Sequence, residues 1–485
     1  MSTNRPDSPN AIPPSEVPRG LPMVAASDPE ALAQEEKHLG ELAGKPPLAR
    51  WAGYARMTGP GWLQSAMTLG GGSAASSLTI GAFFGYKLLW VQPLAMILGI
   101  IMLSALSYQT LSTRARPFSA MKRYVTPAVA WAWALATLLA TVIWHFPQYA
   151  LAAGMTEDMI KTATSWSPAP GSAAQTALLL AVGAVVLLIS TTITWNYASG
   201  WRGIRLYERA LKLLVWLIIL AFGIVVVRST VSGRLNWLEA LKGFVPSIPD
   251  HPKAAEQIMG AFGAAVGINM TFLFPYTLLA RGWGKAHRGL SRFDLVTGML
   301  IPFTFASGLM VMAAACTIYD PAHPLVGGVK PVDAAGMIAA AGVGPFFGHI
   351  IFGLGILGMA LSTITTHMLV SGFAACEIFG IEPQGWKYKL ACLIPAPGIL
   401  GVVLWKYMGF WIAVRTSAIC GILLPIAYVA FLVLHNRRDY LGRDTPVGWK
   451  RWAWNVGMLL AIAATVISIA NYLASNWQSI FTLKA

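Results

Sequence analysis

The chain has 485 residues, of which 56% are hydrophobic and only 11% charged. A soluble domain carries about 25% charged residues, so a water-facing surface over the whole chain is excluded and lipid is its natural solvent. The net charge of +15 does not point to nucleic acid, because the basic residues are spread through short loops between apolar runs and form no single patch. The 19 Trp agree with lipid, whose interfaces favour amphipathic rings. Cys316, Cys376, Cys392 and Cys420 have neither CxxC nor Cys/His spacing. They indicate no zinc site and no disulfide framework, and they read as small core residues.

Residues 1–50 are rich in Pro, Ser, Ala and Glu. They read as a disordered tail with one short amphipathic helix near Pro29–Leu42 and no cleavable signal peptide. Eleven mainly apolar segments follow, each near the length of about 20 residues that a spanning helix needs. They cover 58–82, 86–111, 127–153, 174–196, 204–228, 255–280, 293–318, 346–379, 388–405, 410–434 and 452–475. The division is a tail at 1–50, a first five-helix repeat at 51–229, a linker at 230–253, a second repeat at 254–435, and a loop with the eleventh helix at 436–485.

The loops set an orientation. Arg114, Arg116, Lys122 and Arg123 follow the second segment, and Arg202 and Arg205 the fourth. Arg281, Lys285, His287, Arg288 and Arg292 follow the sixth, and Arg437, Arg438, Arg443, Lys450 and Arg451 the tenth. Glu157, Asp158 and Lys161 after the third segment mix signs, as do Asp320, Lys330 and Asp333 after the seventh. The even-numbered loops and the N-terminus are therefore expected in the cytoplasm, with the linker and the C-terminus outside.

Two segments are abnormal for spanning helices. The first contains Gly70-Gly71-Gly72-Ser73-Ala74-Ala75-Ser76-Ser77, and the sixth contains Gly263-Ala264-Ala265-Val266-Gly267-Ile268-Asn269-Met270-Thr271 followed by Pro275. Each glycine costs a helix about 1 kcal/mol relative to Ala. The bland reading is close helix packing through small residues. The two segments, however, hold equivalent places in two five-helix halves. Paired broken helices at matching positions point to an inverted-repeat carrier with its binding site between them. Unwound backbone inside lipid must line a cavity or be buried in protein. Its free N–H and C=O groups, together with the half-helix ends, can then hold a solute.

At these residues the sequence resembles the Nramp family of divalent-metal transporters over most of 57–475. Gly59-Pro60-Gly61-Trp62-Leu63 opens the first helix as in that family, and Phe84-Gly85-Tyr86-Lys87-Leu88-Leu89-Trp90-Val91 is the most specific match. Leu361-Ser362-Thr363-Ile364-Thr365, Lys389 with Ile394-Pro395-Ala396, and Leu424-Pro425 through Gly442 match later helices. The resemblance implies an all-α integral membrane protein with a LeuT/APC-type inverted repeat of five plus five helices and an eleventh appended. It also implies metal cation transport. The family's ligand motifs are replaced, however. Its Asp falls at Gly70, its Asn at Ser73, its Met at Gly267 and its His at Asn269. Ala264 matches a backbone-carbonyl ligand, and a glutamine of the tenth helix falls at Ser417. The third helix, which carries acids in that family, has none between Trp133 and Met155.

The expected substrate site is thus small, neutral and rich in backbone: Gly70, Gly71, Gly72, Ser73, Ser76, Ser77, Ala264, Gly267, Asn269, Met270, Thr271 and Ser417. A bare divalent ion at mid-membrane wants a carboxylate, so Mn²⁺ or Fe²⁺ held in the usual way is not expected. An organic solute such as an amino acid or carboxylate, and a transporter-like sensor, are the alternatives. His145, Gln148, His367 and Arg415 are gating or coupling candidates. Their bland readings are hydrogen-bonded core histidines and an arginine reaching the interface. His349 opens the eighth helix. No channel filter, nucleophile, acid pair or metal cluster is found, so an enzyme is not expected. The expectation is a monomer in the plasma or inner membrane, with lipid and a small solute or cation as partners, no cofactor and no nucleic acid.

Overall fold

In the computed structural model the described residues are 29–481 without 198, 252, 323–328 and 404–419, with backbone alone for 475–481. Every regular element among them is a helix. A chain this apolar has no water to complete its backbone hydrogen bonds inside a bilayer, and a helix completes them within the segment. Eight described helices are long and apolar enough to cross a membrane.

The tail is the first correction. Residues 29–43 form the short helix expected there, α1 (Pro29–Ala43), and α2 (Pro47–Ala55) follows it, so the stretch 29–50 is not disordered. Glu35, Leu39 and Leu42 of α1 are buried. Residues 1–28 lie outside the described residues.

The first predicted span is two helices, α3 (Pro60–Thr68) and α4 (Gly71–Phe84), each too short to cross alone. Leu69 leaves helical geometry at φ −78°, ψ 75°, and Gly70 is extended at φ −136°, ψ −166°. After α5 (Val91–Thr113) and α6 (Pro117–Tyr124) comes the long α7 (Pro127–Thr164). Glu157, Asp158 and Lys161 belong to its last turns, not to a loop. α8 (Ala173–Tyr197), α9 (Trp201–Val231) and the short α10 (Trp237–Lys242) close the first half.

The sixth span breaks as the first does, into α11 (Ala254–Ala265) and α12 (Ile268–Ala280), with Val266 and Gly267 extended between them. α13 (Arg288–Leu295) continues through a π turn at Val296–Leu300 into α14 (Ile301–Thr317), and α15 (Pro331–Ile338) follows. π turns at Ala339–Val343 and Phe346–Ile351 then lead into α16 (Phe352–Phe379). α17 (Gly385–Ala391) starts the ninth segment, and α18 (Leu424–His435) ends the tenth. Residues 404–419 between them, including Arg415 and Ser417, lie outside the described residues. α19 (Arg438–Leu441) and α20 (Gly448–Phe481) complete the chain.

α16 forms the centre of the bundle and packs against α7, α9, α8 and α3. Nearly all of it from Phe352 to Cys376 is buried, which fits its apolar and small-residue sequence. α4 packs on α14 and α11, and α12 on α5 and α7. The two broken spans therefore sit inside the bundle, where unwound backbone is tolerable.

Candidate functional site

The two breaks meet, and side chains complete their loose backbone. The Thr68 hydroxyl lies 2.7 Å from the carbonyl oxygens of both Ala264 and Ala265, so the end of α3 is tied to the end of α11. From α16, Ser362 Oγ donates to the Ala66 carbonyl at 2.9 Å, and Thr363 Oγ1 lies 3.3–3.4 Å from the carbonyls of Ala66, Met67 and Leu69. Ser73 Oγ accepts the Gly70 N–H at 3.0 Å and lies 2.7 Å from the Thr68 carbonyl. Gln148 Oε1 accepts the Gly71 N–H at 2.9 Å. At the other break, the Gly267 N–H points at the Met270 sulfur, 3.4 Å away.

Asn269 joins this break to α16. Its Oδ1 accepts the Met270 N–H at 3.0 Å, which fixes the amide so that Nδ2 faces His367 Nε2, also at 3.0 Å. An amide nitrogen only donates, so this orientation assigns Nε2 as the acceptor and puts the proton of a neutral His367 on Nδ1. His145 is fully buried beside it, with ring centroids 5.5 Å apart.

These residues enclose a cavity of about 30 Å³. A buried water needs at least about 10–15 Å³ on this measure, so there is room for an ion or two waters. Gly70, Gly72, Ser73, Ala264, Gly267, Asn269 and Met270 line it, along with Gln148 and His367. Gly71 is held against Gln148 at its edge. Ser76, Ser77 and Thr271 lie deeper in their helices: Ser77 Oγ accepts from Gln92, and Thr271 Oγ1 accepts from Trp133 Nε1 at 2.9 Å. Met67, Thr68, Trp144 and Thr363 also line the cavity and were not anticipated. The signal for Thr363 was its place in a run of small hydroxyl residues, but no spacing rule says which of them faces the break. A larger hollow of about 310 Å³ is bounded by Val182, Val186, Leu357 and similar residues, with Thr156 the sole polar side chain. It suits an acyl chain better than a polar cargo.

Charge is concentrated elsewhere. At the end of the bundle that carries α1 and the loop after α12, buried Arg281 lies 3.3 Å from Glu208 Oε2 and 3.5 Å from Glu35 Oε1. Burial works against its charge, but Glu208 and Glu35 outweigh burial and hold its pKa above the ordinary value. Trp283 Nε1 donates to Glu35 at 3.0 Å. Asp294 Oδ2 accepts the N–H groups of Gly61 at 2.7 Å and Gly59 at 3.3 Å, so it caps the start of α3. At the opposite end, Asp158 of α7 pairs with His349 at 2.7 Å.

The profile described as natural resistance-associated macrophage protein-like, Nramp, matches residues 61–473. The chain belongs to the Nramp family. A divalent metal cation transporter, MntH of Brucella suis biovar 1, is 23% identical over 425 residues, covering 85% of this chain and 86% of the relative. Human natural resistance-associated macrophage protein 1 is 27% identical over 265 residues, 53% of this chain and 44% of that one. Among solved structures, a mutant of the Eremococcus coleocola manganese transporter superposes with a TM-score of 0.67 at 16% identity, covering 90% of each chain. MhsT in complex with L-phenylalanine superposes at 0.53 and 15% identity, covering 84% of this chain and 98% of that one. The fold is that of the Nramp and LeuT-type transporters, all-α and membrane-spanning.

Within this Nramp chain the glycines at the two breaks are closely packed. A Cβ built on Gly70 would collide with Thr363 Oγ1, and one on Gly267 would sit 2.6 Å from Asn269 Oδ1. Neither glycine needs positive φ here; each is required by the close approach of a neighbouring side chain. Among the described residues no group of three or more His, Cys, Asp or Glu is placed to hold a metal ion.

Proposed function

We propose that this chain is a secondary carrier that works by alternating access and holds a metal cation between its two broken helices. The observation that carries the reading is the meeting of four half-helix ends at one small cavity buried in the bundle. The basic residues of the even-numbered loops support an orientation with the N-terminus in the cytoplasm and the C-terminus outside. The Glu35–Arg281–Glu208 cluster and the Asp294 cap on α3 then act as the inner closure. Asp158–His349 acts at the outer end.

An organic solute fits less well. Pockets for such ligands are about 300–1,000 Å³, and the cavity at the breaks is about 30 Å³ in this state. The relatives' names also describe transporters of divalent metal cations. The test is uptake by the full chain in liposomes against a panel of metal cations, amino acids and small carboxylates. Saturable uptake of at least one cation, lost in Ala264→Phe at unchanged expression, is the expected result. Saturable uptake of an organic solute with none of any cation would overturn the reading.

A further inference from the structure

The donors around the cavity separate by hardness. The hard oxygens carry hydrogen bonds that a bound ion would have to share or displace. The Ala264 carbonyl accepts from Thr68, the carbonyls at the end of α3 face Ser362 and Thr363, and Ser73 spends its hydroxyl on the break itself. No carboxylate lines the cavity. Ion desolvation rises with the square of the charge, so without a counter-charge a divalent ion would cost about four times as much to enter as a singly charged one of equal size.

What remains is soft. Met67, in the last turn of α3, and Met270, in the first turn of α12, line the cavity from the two breaks, and each carries a thioether. The Met270 sulfur is placed at the break, engaged by nothing stronger than the Gly267 N–H at 3.4 Å. His367 presents a neutral imidazole whose Nε2 lone pair is held by the Asn269 amide alone. A turn of that amide frees the nitrogen as a third donor. Thioethers select Cu(I) among the biological metals, and two thioethers with an imidazole form a neutral set suited to one positive charge.

We infer that the ion this cavity binds is a soft, singly charged metal ion of the Cu(I) or Ag(I) class. The inference rests on the cation-carrier reading above and narrows its cargo.

The experiment uses the full chain in liposomes with Cys316, Cys376, Cys392 and Cys420 replaced by alanine, so that thiols do not bind the probe. Initial uptake of Cu(I), kept reduced by ascorbate, is compared with that of Mn²⁺, Na⁺ and K⁺. The expected result is saturable Cu(I) uptake, competed by Ag(I) and exceeding Mn²⁺ uptake. Met270→Leu should lower it by about tenfold or more, and Met67→Leu with Met270→Leu should abolish it, since leucine keeps the volume and removes the sulfur. Should the cysteine-free parent fail to fold, the same question is put to the native chain. There Ag(I) should raise the melting temperature, and the double Met→Leu variant should lose a distinct part of that rise. Preferred Mn²⁺ uptake, cation uptake indifferent to both Met→Leu changes, or an Ag(I) shift unaltered by them, would overturn the inference and leave the carrier reading standing. Absence of uptake for every cation would overturn both.

Discussion

The middle of this protein and its N-terminal end face the same difficulty, polar groups buried away from water, and resolve it in opposite ways. At the breaks, neutral hydroxyls and amides of Thr68, Ser73, Gln148, Ser362 and Thr363 hold loose backbone, with no ionised side chain lining the cavity. At the end, Arg281, Glu208, Glu35 and Asp294 are all buried, and each is held by a charge partner or by backbone N–H groups. The difference teaches where this chain tolerates charge. Opposite charges held together can lock an end; an unmatched charge in the cavity would bind or repel the cargo. Neutral bonds of modest strength allow the breaks to rearrange, whereas a buried ion pair is costly to leave half-made.

The sharpest way to break the comparison is Arg281→Met, which strands Glu208 in a buried site and leaves Glu35 to Arg205 and Trp283. Its expected cost is about 3–5 kcal/mol, read as a large drop in melting temperature. A loss below about 1 kcal/mol would mean that water reaches the cluster. In the centre, Gly70→Asp alone should impair folding by driving a side chain into Thr363. Gly70→Asp combined with Thr363→Ala should fold and gain Mn²⁺ uptake, because the carboxylate then has both space and a task. Equal behaviour of single and double variants would show that Thr363 does not close that position. Thr363→Val keeps the shape but leaves the α3 carbonyls without their hydroxyl, at an expected cost of about 1–3 kcal/mol by thermal unfolding. Glu35→Gln keeps an acceptor for Trp283 and removes the charge beside Arg281. About 1.5 kcal/mol and faster labelling of a cysteine placed at the partly exposed Thr58 are expected. Asp158→Asn keeps an acceptor for the partly exposed His349 and should cost about 1 kcal/mol while raising the rate of outward exposure. Unchanged labelling from outside would remove it from the closure.

Much of the fold was legible. Apolar run lengths located the eight spans seen among the described residues, and glycine clusters located both breaks within a residue or two of Leu69–Gly70 and Val266–Gly267. The tail was misread between 29 and 50, because a charged helix shows no reason to be buried until Arg281 and Trp283 arrive from 248 residues away or nearly so. The end of α7 was misread too. Helical geometry continues past the apolar run through Glu157 and Asp158, and it brings Asp158 to His349.

By itself, the sequence determined that this chain lives in lipid, that it is helical and that two spans are broken at matching places. These follow from composition and local backbone preference. The tertiary structure alone decided which polar groups remain free at the breaks. Met67 on one stretch, and Thr363 and His367 on another, are ordinary residues, and only packing of α16 against α3 and α7 turns them toward one cavity. Glycine at 70 marks a break when read locally. In the folded chain it marks the space that Thr363 needs.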